Sequence, residues 1–208
     1  LNLGGAALVA IASGFLDPSM NSDGGPFGIY VALPSGGPLV ALPASAIPTA
    51  RVQVIHNSAD LAAAQVDVWL NNTPLLDNFA FRNASPFVDA QAGVPFDISI
   101  ALPTSTDTVA ALARFTYTLE ADETYIIIAN GIVSATGYSP ATPFDLYVTG
   151  GARETSTSAG NVDVLVFHGS TDAPMVDIVE TSVPAGNIVD DISYGEFAGY
   201  LELPEANY

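Results

Sequence analysis

The amino-acid sequence predicts an all-β protein built from many short strands. Apolar and polar residues alternate with the period of a strand, and no stretch keeps the period of a helix for more than about two turns. The 208 residues include 18 Gly and 15 Pro, and turn-forming residues recur about every 8–15 positions. The remainder is rich in Val, Ile and Thr, which favour strands over disorder.

The strand pattern is clearest in two neighbouring stretches. Residues 51–56 and 66–71 each alternate between apolar and polar side chains, as expected of strands with one buried face. Clusters of Gly, Pro and Asn separate such stretches; they lie at 24–26, 36–38, 71–74 and 92–93. Short strands at this spacing predict antiparallel β-sandwich domains of the immunoglobulin or transthyretin type.

Composition excludes several classes of protein. Four Arg, no Lys and 22 acidic residues give a net charge of −18, so a nucleic-acid backbone would be repelled. The chain has no cysteine, which rules out disulfides and thiolate metal sites. Its apolar stretches are much shorter than the ~20 residues that a membrane-spanning helix needs, so we expect no membrane span.

The sequence is similar to itself over a distance of about one domain. The stretch around His56 and Asp60 recurs around His168 and Asp172, in both cases 112 residues further on. A second correspondence relates residues 7–14 to 124–131, with an offset of 117 residues. The sequence therefore predicts tandem repeats.

The two offsets predict how the repeats are arranged. We expect residues 1–47 to be the closing strands of one repeat, residues 50–150 a complete repeat, and residues 161–208 the opening strands of a further one. Residues 151–160 are small and polar, as in a linker. Together the two end pieces match one domain that lacks the equivalent of residues 97–117.

The repeated motif resembles that of a known family. The pattern His-x-Ser-x-Asp followed by Val-Asp-Val or Val-Asp-Ile, at 168–178 and in a looser form at 56–68, is similar to the signature of the domain of unknown function 4397. The stretch 125–131 also resembles that family. The resemblance implies a secreted β-sandwich, commonly in tandem on bacterial and archaeal cell surfaces, with no established catalytic activity.

Both histidines of the chain stand before a Ser and an Asp. A catalytic triad needs the imidazole between hydroxyl and carboxylate and an oxyanion hole beside the serine, whereas here the three residues share one short loop. We expect a structural motif in which the imidazole ties down its own loop, and we expect no enzyme. The motif residues are His56, Ser58 and Asp60, and His168, Ser170 and Asp172.

Carboxylates near the motif are candidates for calcium ligands. Asp60 with Asp67, and Asp172 with Asp177, lie where the loop enters the next strand. Calcium prefers six to eight oxygen ligands from such loops. The alternative, which we favour, is that Asp60 and Asp172 cap turns through backbone amides. No other cofactor is expected.

The predicted split domain suggests a function. A half sandwich leaves strand edges unpaired and buries too little apolar surface to be stable alone. The missing half can come from a longer covalent array, from the other end of the same chain, or from another copy joined head to tail. We expect an extracellular structural repeat protein, a subunit of a surface filament, fibre or stalk assembled by strand exchange.

The alternative function is a cell-surface adhesin or carbohydrate-binding module with glycan ligands. In that case aromatic side chains form a platform on which sugar rings stack, whereas the competing interpretation makes them cross-strand pairs within the sheets. The candidate platform residues are Trp69, Tyr117, Tyr125, Tyr138 and Tyr147.

Overall fold

The structure, a computed structural model, describes residues 7–43, 46–182 and 186–208. Parts of the predicted end pieces, residues 1–6, 44–45 and 183–185, lie outside the described residues. The described chain consists of strands, loops and two short 3₁₀ helices, which confirms the all-β prediction. No described helix is long and apolar enough to cross a membrane.

The chain divides into two compact units, one ending at Ile47 and one spanning Pro48–Tyr208. The first unit is an antiparallel sheet in the order β1-β2-β3, and a 3₁₀ helix at Pro18–Met20 lies between β1 and β2. Asp17 caps this helix by accepting hydrogen bonds from the N–H groups of Ser19 and Met20. The strands are β1 (Val9–Ser13), β2 (Gly28–Ala32) and β3 (Val40–Ala41).

The second unit begins with two sheets that share one core. One sheet has the order β10-β9-β5-β6, and the other has the order β12-β11-β4-β7 with β8 also beside β4. A second 3₁₀ helix lies at Leu61–Ala63. The strands are β4 (Thr49–His56), β5 (Gln65–Leu70), β6 (Thr73–Ala80), β7 (Asn83–Ala84), β8 (Val88–Gln91), β9 (Phe96–Ala101), β10 (Ala113–Tyr117), β11 (Thr124–Asn130) and β12 (Asp145–Thr149).

The core between these sheets is formed by the inward face of each strand. Val52 and Val54 of β4 meet Val68 of β5 and Ile100 of β9 in one buried cluster. Because side chains alternate along a strand, one face of each sheet supplies this cluster. The arrangement is sandwich-like. Trp69 is also buried, with 7% of its surface exposed, so its indole offers no open face for a sugar.

One strand pair departs from the predicted antiparallel arrangement. β4 and β11 are parallel neighbours, with Val54 opposite Ile127 and Ile55 opposite Ile128. The sequence predicts antiparallel sandwiches, and this one pair is parallel because the chain passes through the other sheet between the two strands. A hairpin forces neighbours to run antiparallel, but a crossover of this length permits the parallel direction.

The last part of the second unit forms two further strand pairs. β13 (Asn161–Phe167) pairs antiparallel with β16 (Phe197–Pro204), and β14 (Val176–Glu180) pairs antiparallel with β15 (Gly186–Ile192). In the described part of the chain, β13 has no strand on its other edge. β4, by contrast, has strands on both edges.

Candidate functional site

The first candidate site is the loop that follows β4, and His56 ties its two ends together. The imidazole is fully buried. Its Nε2 lies 2.7 Å from the carbonyl oxygen of Ala63, and its Nδ1 lies 3.4 Å from the N–H of Ser58. A carbonyl can only accept, so Nε2 carries the proton and Nδ1 is the acceptor. Burial lowers the pKa of His56, which favours this neutral form.

Ser58 and Asp60 join this loop to the segment that follows β11. The hydroxyl of Ser58 donates to the carbonyl oxygen of Gly131 at 2.6 Å. One oxygen of Asp60 accepts from the N–H groups of Val133 and Ser134, at 2.9 and 2.7 Å. These bonds connect parts of the chain that are more than seventy residues apart, so the motif holds β4 and β11 in place.

The carboxylate of Asp60 is buried yet fully used as a hydrogen-bond acceptor. Its second oxygen accepts from the N–H of Ala62 at 2.9 Å and from the hydroxyl of Ser134 at 2.8 Å. Burial by itself raises the pKa of Asp60, but the bonds from Ala62 and Ser134 together lower it below its usual value. The group is therefore an ionised acceptor that fixes two loops.

Gly131 fits its position because it has no side chain. Its φ is +98°, and a Cβ there would lie 2.3 Å from the carbonyl oxygen of Pro143. Only glycine adopts this conformation at such a close approach without strain. The carbonyl of Gly131 is thereby aimed at Ser58.

The loop after β13 reproduces the histidine contacts of the first loop. Nε2 of His168 lies 2.9 Å from the carbonyl oxygen of Pro174, and Nδ1 accepts from the N–H of Ser170 at 3.3 Å. Asp172, however, is exposed, and its hydrogen bond in the structure is with the hydroxyl of Ser170 at 3.2 Å. Among the described residues, Asp172 therefore has fewer donors than the four that bind Asp60.

The other predicted calcium ligands take different places. Asp67 accepts from the N–H of Asn78, and Asp177 accepts from the N–H of Asp191, each at 2.9 Å. Among the described residues, the carboxylates that gather within 4.8 Å of one another are those of Asp177, Asp190 and Asp191, all exposed. This group does not include Asp60, Asp67 or Asp172, and an exposed acidic cluster of this kind is common on protein surfaces.

The hairpin of the first unit has the same geometry as the hairpin β11–β12. Ser13 lies opposite Gly28, just as Asn130 lies opposite Asp145. Beyond each hairpin follows an isolated bridge, Phe15 to Pro26 in one case and Ile132 to Pro143 in the other. Every one of these positions is related by the same offset of 117 residues.

The glycine that ends the first strand is also reproduced. Gly14 has a φ of +88°, and a Cβ there would lie 2.1 Å from the carbonyl oxygen of Pro26. This matches Gly131 and Pro143 in conformation and in close approach.

The pair β13–β16 packs on the outer face of the sheet that contains β4 and β11. The ring of Tyr147 lies 5.2 Å from that of Phe167 and 5.8 Å from that of Tyr194. The amide of Asn130 donates to the carbonyl oxygen of Gly169 at 2.9 Å. Sequence reasoning missed this contact, although the apolar outward-facing residues of β11 were a signal for a covered face.

The predicted linker is held by charged groups on both sides. Arg51 of β4 binds Glu154 through two hydrogen bonds of 2.7 and 2.9 Å. Arg153 binds Asp163 at 2.7 Å and lies over the ring of Tyr200. Burial raises the pKa of Asp163, but hydrogen bonds from Thr157 and Arg153, among others, lower it to about 2.

Comparison with known protein families matches residues 50–179 to the Domain of unknown function (DUF4397). The match covers the two-sheet core from the second residue of β4, the linker, β13 and all but the last residue of β14. No curated protein matches the chain.

Proposed function

The chain belongs to the DUF4397 family, and from this premise we propose that it is a structural subunit of an extracellular filament, fibre or stalk. In this proposal tandem sandwiches of the immunoglobulin or transthyretin type are completed by strands from a neighbouring copy. The extracellular location is part of this proposal, and the resemblance to a family of secreted domains supports it. Residues 1–47 and 161–208 are then parts of repeats that need a partner.

The observation that carries the proposal is the matching geometry of the two hairpins. β1–β2 and β11–β12 share their register, their isolated bridge and their positive-φ glycine. In the two-sheet core, β11 pairs with β12 on one edge and with β4 on the other. In the described part of the first unit, β1 pairs only with β2. A β-strand edge of this kind is a template for addition of another strand.

Exposure of apolar side chains supports the same proposal. Ile29 of β2 is 39% exposed, whereas Leu146, its counterpart in β12, is 7% exposed. Val162 of β13 is 45% exposed, whereas Ala50, its counterpart in β4, is 1% exposed. Completion of each piece would remove these side chains from water, which stabilises the assembly by about 25 cal/mol per Å² of apolar surface.

Negative-stain microscopy and light scattering of the purified chain test this proposal. We expect fibres whose length grows with protein concentration, because head-to-tail association that does not close builds an open filament. Discrete monomers at all concentrations would refute assembly. Antibody labelling of intact source cells tests the location, and labelling that requires cell lysis would contradict a surface role.

A further inference from the structure

We infer that β1 of one copy adds to β13 of a second copy as a parallel strand, in the register that β11 and β4 use within the chain. This inference rests on the proposed assembly and names the contact that forms it. The partner is a second copy of this chain. The two surfaces are the edges of β1 and β13 that carry no strand within the described part of the chain.

The parallel pair β4–β11 is the template for this contact. It places Gln53 opposite Ile126 and Ile55 opposite Ile128. At its end, the N–H of Asn57 donates to the carbonyl oxygen of Ala129 at 2.8 Å. On its other edge, β4 pairs antiparallel with β7 and β8.

β13 is the counterpart of β4, but among the described strands it pairs on one edge only. It follows β4 at the offset of 112 residues, and β16 occupies the side that β8 occupies beside β4. Beside β13 lies an open groove of about 290 Å³. Its apolar lining comes from both strand pairs and includes Val166, Val176, Ile178 and Ile192.

β1 is the counterpart of β11, with β2 in the place of β12. The carbonyl of Ala129 points to β4, so by alternation the backbone of Ile127 points the same way. The corresponding residues of β1 are Ala12 and Ala10. Their backbone groups therefore face the edge of β1 that β2 does not use.

The template fixes the register between the two copies. The offset of 117 residues relates β11 to β1, and the offset of 112 residues relates β4 to β13. Together they place Val9 opposite Leu165 and Ala10 opposite Val166. The N–H of Gly169 then donates to the carbonyl oxygen of Ala12, as the N–H of Asn57 does to that of Ala129.

The loop motif around His168 is completed by the same addition. Ser170 then meets the carbonyl of Gly14, as Ser58 meets that of Gly131. Asp172 then accepts hydrogen bonds from the N–H groups of Leu16 and Asp17, as Asp60 accepts them from those of Val133 and Ser134. The hydroxyl bond from Ser134 to Asp60 is not reproduced, because residue 17 is an aspartate.

Disulfide trapping between separate copies tests the register. The chain has no cysteine, so any disulfide reports on introduced residues alone. Copies with Ala10→Cys and copies with Val166→Cys are mixed and oxidised, and the product is read by non-reducing electrophoresis. We expect a covalent dimer that contains one copy of each, because opposed residues in paired strands are close enough for a disulfide.

The matched control pairs Ala10→Cys with Val162→Cys, which lies four residues, or about 13 Å, along β13. We expect at most a tenth as much dimer from this mixture. Equal yields would overturn the register. If the variant with both Ala10→Cys and Val166→Cys instead formed a disulfide within single chains, while the mixture formed none, the second copy would be the wrong partner.

A proline on the free edge of β1 provides the second test. Ala10→Pro removes an N–H that faces β13 and leaves the hydrogen bonds to β2, since a proline is tolerated on an edge strand. We expect this variant to stay monomeric in light scattering, while Ala10→Val assembles like the unchanged chain. Fibres formed equally by Ala10→Pro would overturn the contact yet leave the proposed filament in place. Absence of fibres from the unchanged chain would overturn both.

Discussion

At the scale of single residues, Asp60 joins two loops of the two-sheet core. It is buried, ionised and bonded to four donors from two loops. Asp172 occupies the equivalent sequence position but is exposed. The same residue in the same motif therefore has two different structural roles within one chain.

This difference predicts unequal effects of removing the charge. Asp60→Asn replaces an acceptor by an NH₂ group that faces N–H donors, so we expect the free energy of unfolding to fall by about 2–4 kcal/mol. Asp172→Asn should change it by less than about 0.5 kcal/mol in the unassembled chain. Chemical denaturation of both variants measures the difference. Equal losses of unfolding free energy in the two variants would contradict the conclusion that Asp60 stabilises the contact between the two loops.

His56 predicts a dependence of stability on pH. Because burial lowers its pKa below 6.5, the unfolded chain binds the proton more readily than the folded one. Its contribution to stability is thus present above pH 6.5 and is lost as the pH falls from 6.5 through the lower folded value. We expect the Tm of the unchanged chain to fall more between pH 7.5 and 5 than that of His56→Gln, which does not titrate there.

Thermal unfolding at both pH values checks this expectation. Because His56→Gln keeps every carboxylate, its change in Tm measures the part that the carboxylates cause. A larger loss in His56→Gln than in the unchanged chain would contradict it.

The sequence predicted the motif but not its partners. His, Ser and Asp are recognisable by residue type and spacing, whereas three of the four donors to Asp60 are backbone N–H groups, those of Ala62, Val133 and Ser134. Every residue except proline has such a group, so no residue-type signal marks them. The glycine at 131 was the available clue, because its repetition at 14 marks a fixed turn.

At the scale of elements, the linker is more ordered than its composition suggests. Residues 151–160 are small and polar, which predicted a linker. Arg51, Arg153 and Glu154 instead attach it to β4 and β13. Long-range ion pairs of this kind are invisible in local composition because each partner lies in a different element.

We therefore predict that Arg153→Ala loosens β13 and β16 from the outer face of the sheet. The variant loses the ion pair with Asp163 and the contact with Tyr200. Limited proteolysis should cut the linker several-fold faster, because cleavage follows the population of the opened state. Arg114→Ala, which removes the same charge at a distance from the linker, is the control. Equal cleavage rates would show that the linker does not depend on Arg153.

The pairing of β4 with β11 shows the limit of strand patterns. Alternation indicates that a segment is a strand and which face it buries. It carries no information on the direction of a partner that is about seventy residues away, since direction is fixed by the path of the chain between them. Hairpins such as β11–β12 were predictable because their turns lie in the sequence between the strands.

At the scale of the whole molecule, the net charge of −18 opposes any association between copies. The Debye length falls from about 30 Å at 0.01 M salt to about 8 Å at 0.15 M. We predict that the proposed assembly is faster at 0.15 M, because screening reduces repulsion. Light scattering at both salt concentrations measures it, with Ala10→Pro as the control for unspecific aggregation. Faster assembly at the lower concentration would contradict repulsion as the barrier.

The placement of β1 and β13 in different parts of one chain has a consequence for growth. In a line of copies joined through these strands, one tip always shows a bare β1 and the opposite tip a bare β13. Because its two tips differ, such a line has a direction, and the tips elongate at unequal rates. A peptide with the sequence of only one of the two strands stops elongation at one tip and leaves the other growing.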